Sequence, residues 1–129
     1  EMIKVIDDPK LQSRVLYPNP VCILLTCDES KPSGHNAMIC SWLSMVNNDG
    51  LVMLSVNRRR YSAGLLESNR CFSLSVPTEV MEETVLKIGK LSGRFVDKFH
   101  EIQDLELEKH DDFSYVRGTV ATLECNVVS

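Results

Sequence analysis

The sequence predicts a mainly β fold, a small antiparallel barrel with short helical insertions, on three observations. Five stretches have strand length and strand composition, 21–27, 36–43, 51–56, 71–76 and 115–128, and clusters rich in Gly, Pro, Asn, Asp or Ser separate most of them. No strand-helix-strand unit repeats along the chain in the way that builds a parallel, doubly wound sheet. A chain of 129 residues is most simply one domain, 1–129, long enough to bury roughly two-thirds of its unfolded surface, and closure into a barrel removes the sheet edges it would otherwise expose.

Residues 5–16 are charged and mixed and form an entry segment, with Asp7-Asp8-Pro9 as a turn or helix start. Tyr17-Pro18-Asn19-Pro20 follows, and its prolines impose extended geometry on the residues before them. The chain then enters Val21–Cys27, a buried strand, and turns through the polar segment Asp28–Gly34. Asn36–Leu43 returns as a second strand, and Asn47-Asn48-Asp49-Gly50 turns the chain into Leu51-Val52-Met53-Leu54. That apolar run, closed by Ser55 and Val56, suits a strand covered on both faces.

Asn57 and three arginines, Arg58, Arg59 and Arg60, follow the strand, and Tyr61-Ser62 opens a helical run to Glu67 with Ser62 as the candidate N-cap. Free backbone N–H groups, the positive end of the helix dipole and nearby guanidinium groups favour an anion at such a place. Two readings stand on the local pattern: a solvated basic turn, or a site for a cofactor phosphate.

Cys71–Val76 alternates, with Phe72, Leu74 and Val76 on a core side and Cys71, Ser73 and Ser75 on a small polar side. Pro77 ends the strand and Thr78 caps a helix with Glu79, Glu82 and Glu83 early and Lys87 and Lys90 late, the charge order that suits its dipole. Met81, Val85 and Ile88 are its apolar stripe. Beyond Ser92-Gly93 a second helical pattern sets Phe95 and Phe99 one turn apart, with Ile102 on the same face, which reads as packing. Residues 103–114 are acidic with a short strand at Leu105 and Leu107, and Tyr115–Val128 reads as one long terminal strand.

Composition excludes several function classes. Fourteen basic against eighteen acidic residues give a net charge of −4, which disfavours sequence-independent binding to nucleic acid or an anionic membrane. No apolar run approaches the roughly 20 residues of a membrane span, and the first residues have no signal-peptide pattern. Cys22, Cys27, Cys40, Cys71 and Cys125 form no CxxC pair, so no intramolecular disulfide and a reducing, cytoplasmic location are expected. His35, His100 and His110 are scattered and no HExxH is present, which argues against a metal site. Cys40 lies in an apolar strand, where an inert thiol is the ordinary outcome, and neither GxGxxG nor GxxxxGK[ST] occurs.

Five segments together carry a resemblance: 17–21 (YPNPV), 36–43 (NAMICSWL), 55–62 (SVNRRRYS), 72–79 (FSLSVPTE) and 92–99 (SGRFVDKF). In order and spacing they resemble the flavin reductase-like family of FMN-binding split barrels over most of the chain. The resemblance implies a split β-barrel binding FMN, with hydride accepted from NADH or NADPH and electrons passed on to free flavin, a metal complex or a partner oxygenase. It implies that Asn36, Met38, Ile39, Cys40 and Ser41 lie along the isoalloxazine, that Asn57, Arg60, Tyr61 and Ser62 hold the phosphate, that Ser55 and Val56 also bind the cofactor, and that Ser92, Arg94, Asp97 and Lys98 close over it. No catalytic acid or base is assigned, because the flavin carries the chemistry. A homodimer with FMN near the subunit interface is implied in the same way. The sequence departs from the family where Ile39 replaces a usual Thr, where Ser75 replaces a usual Asn, and where Asn48-Asp49-Gly50 stands for a Pro-Pro pair. The family's usual C-terminal strands are expected to be lacking beyond residue 127. These departures also favour an alternative, a non-catalytic flavin-binding or electron-carrier module.

Overall fold

The computed structural model describes residues 2–128. A short helix α1 (Pro9–Gln12), capped by the Asp8 carboxylate on the Lys10 N–H at 2.9 Å, precedes the first strand. Then come β1 (Cys22–Cys27), β2 (His35–Cys40), β3 (Leu43–Met45), β4 (Val52–Leu54), α2 (Tyr61–Asn69) and β5 (Cys71–Val76). A 3-10 turn at Glu79–Met81 leads into α3 (Glu82–Lys90), followed by α4 (Lys98–Glu101), β6 (Leu107–His110), β7 (Phe113–Val116) and β8 (Ala121–Asn126).

Every strand pairing is antiparallel. The main sheet runs β2-β1-β5-β8, and the β3–β4 and β6–β7 hairpins are separate two-stranded sheets. The fold is therefore mainly β and antiparallel; the ladders among the described residues do not themselves close a barrel.

β1 is central because both of its faces are apolar. Ile23 joins Ala37 in a core completed by Ile88, Ile102, Leu105 and Val116, while Cys22 and Leu24 join Cys40 and Leu74 in a second core on the opposite face. The side-chain period of two thus feeds both clusters from one strand. Each fully buried Ile or Leu contributes about 1.5–3 kcal/mol. The α3, α4 and β6–β7 segments cover the first face, and α2 with the β3–β4 hairpin covers the second.

Several sequence expectations are corrected. The run at 51–56 is not covered on both faces: β4 pairs only with β3, so Val52, Leu54 and Val56 face the core while Met53 is 65% exposed. The expected strand 36–43 ends at Cys40, and Ser41-Trp42 break it before β3. The long terminal strand is interrupted between Val116 and Ala121, where Gly118 has a φ of 84°. Ser62 is not an N-cap; Arg60 holds that position without a side-chain bond, and Ser62 is buried. Thr78 stands at the N-cap of the 3-10 turn but makes no capping bond, and its hydroxyl is buried without a partner. The small polar side of β5 is interior, since Ser73 and Ser75 are buried, Ser75 against Thr122 at 3.0 Å. Phe99 packs on the core as expected, but Phe95 is 83% exposed.

Candidate functional site

Among the described residues β2 is an edge strand, so half of its backbone N–H and C=O groups have no strand there to meet. Beside it lies a hollow of about 280 Å³, walled by the N-terminus of α2 on one side and by the end of α3 with the loop after it on the other. The sequence makes this hollow by placing a basic turn immediately before α2 and Gly93 in the loop that follows α3.

The α2 wall is fixed from two directions. Asn36, buried on β2, donates from Nδ2 to the buried Ser62 hydroxyl at 2.9 Å. The Tyr61 hydroxyl donates to Asp28 Oδ2 at 2.6 Å, and the other Asp28 oxygen accepts from the Ser30 hydroxyl at 2.6 Å. Burial pushes the Asp28 carboxyl up, but the bonds from Ser30 and Tyr61 and the charge of Lys31 outweigh it and hold it below its ordinary value. The bond to Asp28 pushes the Tyr61 hydroxyl up in turn.

The opposite wall hangs on Asp97. Its carboxylate accepts from the Ser33 N–H and hydroxyl, both at 2.8 Å, and from the Phe99 N–H at 3.1 Å, which caps α4. Burial raises this carboxyl too, yet those bonds and the charge of His100 bring it below its ordinary value. Arg94 donates to the Arg59 carbonyl at 2.6 Å and so ties the loop after α3 to the basic turn. Gly93 is buried between the walls, where a Cβ would overlap Asn36 Oδ1 and stand 2.6 Å from the Tyr61 ring.

Lys98 is the most perturbed group here. It is 5% exposed, lines the hollow and donates from Nζ to the Ile88 carbonyl at 2.9 Å. Burial, and then the charge of Arg60, lower its pKa to about 8.

Of the residues expected from sequence, Asn36, Met38, Ile39, Arg60, Tyr61, Ser62, Ser92 and Lys98 line the hollow. The other seven stand outside its lining. Cys40 is buried in the opposite core, and Ser41 lies past the end of β2. Ser55 is exposed with its N–H bonded to Trp42, and Val56 packs on the second core. Asn57 shapes the basic turn by accepting from the Arg59 N–H at 2.9 Å, and Arg94 and Asp97 act on the loops as described. Ile88, Gly89, Leu91 and Gly93 also line the hollow, and sequence reasoning did not include them. Ile88 has the helical spacing of a core residue and serves as one, which hid its second position.

The hollow gathers two neighbouring cations, Arg60 and Lys98, and a helix N-terminus, together with polar Asn36, Tyr61, Ser62 and Ser92 and apolar Met38, Ile39, Ile88 and Leu91. That combination suits a ligand with an anionic group and a flat body with a polar rim. No cluster of three or more His, Cys, Asp or Glu side chains able to hold a metal occurs among the described residues, and no helix there is long and apolar enough to cross a membrane.

The chain is similar in structure to a flavoredoxin from Methanosarcina acetivorans, with 26% identity, a TM-score of 0.80, and coverage of 100% of this chain and 65% of that one. It is similar to the flavoredoxin of Desulfovibrio vulgaris (Miyazaki F), with 20% identity, a TM-score of 0.81, and coverage of 99% and 68%. It is also similar to an FMN-binding protein from Thermus thermophilus with bound p-hydroxybenzaldehyde, with 21% identity, a TM-score of 0.81, and coverage of 100% and 71%. The chain thus spans about two-thirds of the length of these proteins. No match was found among curated proteins. The flavin reductase like domain model matches residues 13–129, nearly the whole chain, and with the shared fold this shows that the chain belongs to the flavin reductase-like family.

Proposed function

We propose that this chain binds FMN along the outer edge of β2 and works as a flavin reductase-like oxidoreductase, taking hydride from NADH or NADPH and passing electrons onward. The observation that supports this most is the convergence of Arg60, the N-terminus of α2 and the buried Lys98 on one hollow that Met38, Ile39, Ile88 and Leu91 also line. In this reading the phosphate sits against those three, each of which favours an anion. The isoalloxazine lies along Met38 and Ile39, and unpaired backbone groups of β2 meet its polar rim. Gly93 keeps the space between the walls open, as the overlap of a Cβ there requires. At about 280 Å³ the hollow is just below the roughly 300–1,000 Å³ usual for small-molecule sites, so a flavin would fill it and extend outward. The flavin when bound supplies the redox chemistry, and the protein binds and orients it.

Asn57, Arg94 and Asp97 serve this site by shaping the turn and loops around it, Cys40 and Val56 pack in the core behind it, and Ser41 and Ser55 meet the part of the flavin that extends beyond the hollow. A split barrel completed beyond β8, a homodimer and a cytoplasmic location belong to the same reading. Trp42, Met45 and Met53 on and beside the β3–β4 hairpin are exposed apolar side chains that a second subunit would cover.

A second reading, an electron carrier without nicotinamide turnover, is favoured by Ile39, which puts an alkyl group in the hollow where the resemblance expects a hydroxyl. Titration with FMN followed by steady-state oxidation of NADH and NADPH with added acceptors separates the two. Binding with turnover supports the reductase, binding without turnover supports the carrier, and a colourless protein unchanged by FMN removes both.

A further inference from the structure

We propose that Cys27 and Cys71 form a surface dithiol that a peroxide converts reversibly to a cross-strand disulfide. The sequence keeps these residues 44 positions apart and gives no sign of a pair. The β1–β5 ladder brings them together: Ile23 faces Ser75, Leu24 faces Leu74 and Leu25 faces Ser73, and carrying that register two residues further sets Cys27 opposite Cys71. Both strands extend that far, since β1 ends at Cys27 and β5 begins at Cys71. Three further observations agree. Both cysteines line one small hollow of about 120 Å³, Asn69 holds the Cys27 carbonyl at 2.7 Å, and Cys71 is among the groups that raise the Cys27 thiol, after burial.

Directly opposed residues of an antiparallel pair have Cα atoms about 4.5–5.5 Å apart, inside the roughly 4.4–6.8 Å that a disulfide spans, so continuing the register to Cys27 and Cys71 puts the bond within reach. Cys27 and Cys71 are both exposed and free, so an oxidant in solution reaches them. The other thiols serve as internal controls. Cys22 faces Cys40 across the β1–β2 ladder, but both are buried in the second core. Cys125 faces Phe72, which places it on the other side of the sheet from Cys71.

The step balances with hydrogen peroxide as oxidant. One thiolate attacks a peroxide oxygen and becomes a sulfenic acid as the first water leaves; the other thiol attacks that sulfur, the S–S bond forms and the second water leaves. Two electrons pass from sulfur to oxygen, and a small dithiol reverses the step by exchange.

The test uses the intact reduced protein exposed to a small excess of hydrogen peroxide, followed by thiol counting and intact mass under denaturing, non-reducing conditions. The expected product is a monomer whose free thiols fall from five to three, lighter by about 2 mass units and restored by dithiothreitol. Cys27→Ser and Cys71→Ser each lose this product, whereas Cys125→Ser keeps it. Retention of all five thiols, a gain of oxygen mass in place of the loss, or the lighter product persisting in Cys27→Ser would overturn the proposal. The wild-type mass alone decides the first two outcomes, so the test does not depend on the variants folding.

Discussion

Lys98 gives the FMN proposal a pH signature that can be worked out from the structure. Its ammonium spends one donor on the Ile88 carbonyl and keeps two more, the residue lines the hollow, and burial with the charge of Arg60 lowers its pKa to about 8. A phosphate bound there favours the charged form, so binding takes up a proton at high pH and weakens as the free lysine loses its own. With a pKa of about 8 the lysine is roughly nine-tenths charged at pH 7 and one-tenth at pH 9. FMN affinity should therefore fall by roughly tenfold between those values, about 1.4 kcal/mol, provided the bound lysine stays charged. The phosphate is almost fully ionised throughout, its second pKa being about 6. Riboflavin has no phosphate and should bind with little change over the same range. Lys98→Met should weaken FMN at pH 7 by roughly 10- to 150-fold, the worth of a charged hydrogen bond, and flatten the profile. Fluorescence titration of both ligands against both proteins measures this. Equal slopes for FMN and riboflavin, or an undiminished slope in Lys98→Met, would refute the phosphate role.

Among the three arginines only Arg60 lines the hollow, so Arg60→Ala should weaken FMN by roughly 10- to 150-fold, leave riboflavin nearly unchanged, and move the Lys98 midpoint upward, while Arg58→Ala does little in the same titration. Gly93→Ala should push its methyl into Asn36 and the Tyr61 ring, costing about 1–3 kcal/mol in denaturant unfolding and reducing FMN affinity even where the protein folds. Asp97→Ala removes a helix cap and the bonds from Ser33, and should cost roughly 2–3 kcal/mol. Because the folded pKa of Asp97 is lowered from 3.8, its contribution is present above that value and is lost as pH falls below it, so wild type and Asp97→Ala should converge in acid unfolding. Lys98→Met shows the same direction in a higher pH window. The folded lysine is more easily deprotonated than the unfolded one at 10.5, so wild-type stability gains on the variant as pH rises from about 8 toward 10.5.

The sequence was most legible where a side-chain pattern has one structural solution. β1 is apolar on both faces and lies at the centre of the sheet, and Met81 and Ile88 of the expected stripe are buried around α3. It misled at 51–54, because a continuous apolar run looks the same whether both faces are covered or the outward positions happen to hold Leu51 and Met53. The break near Gly118 was lost within an alternating pattern that spans it, and Phe95 kept a helical spacing with Phe99 although α4 begins only at Lys98. In the candidate site, the basic turn before a helix is a local pattern and can be read. The bond from Tyr61 to Asp28 and the bonds from Ser33 to Asp97 join residues 33 and 64 positions apart, and no local pattern encodes them. Gly93 is special only through what its neighbours leave no room for, which is a property of three segments together.

Those two carboxylates explain how an edge strand can carry a precise site. The turn between β1 and β2 supplies Asp28 to hold Tyr61 in one wall, and supplies Ser33 to be held by Asp97 in the other. Both walls are thus referenced to the same short turn, while Arg94 closes the frame from the loop after α3 to the arginine turn. Each tie uses a charged partner, which makes stronger hydrogen bonds than neutral pairs give. A hollow framed in this way loses less conformational freedom when a ligand enters than one lined by independent loops, so more of the contact energy appears as affinity. The same walls flank the open edge of β2, which would otherwise invite pairing with another chain. Protection of the edge and preorganisation of the hollow are then consequences of one arrangement: backbone groups left free on β2 are kept from a competing strand by the same side chains that frame the hollow.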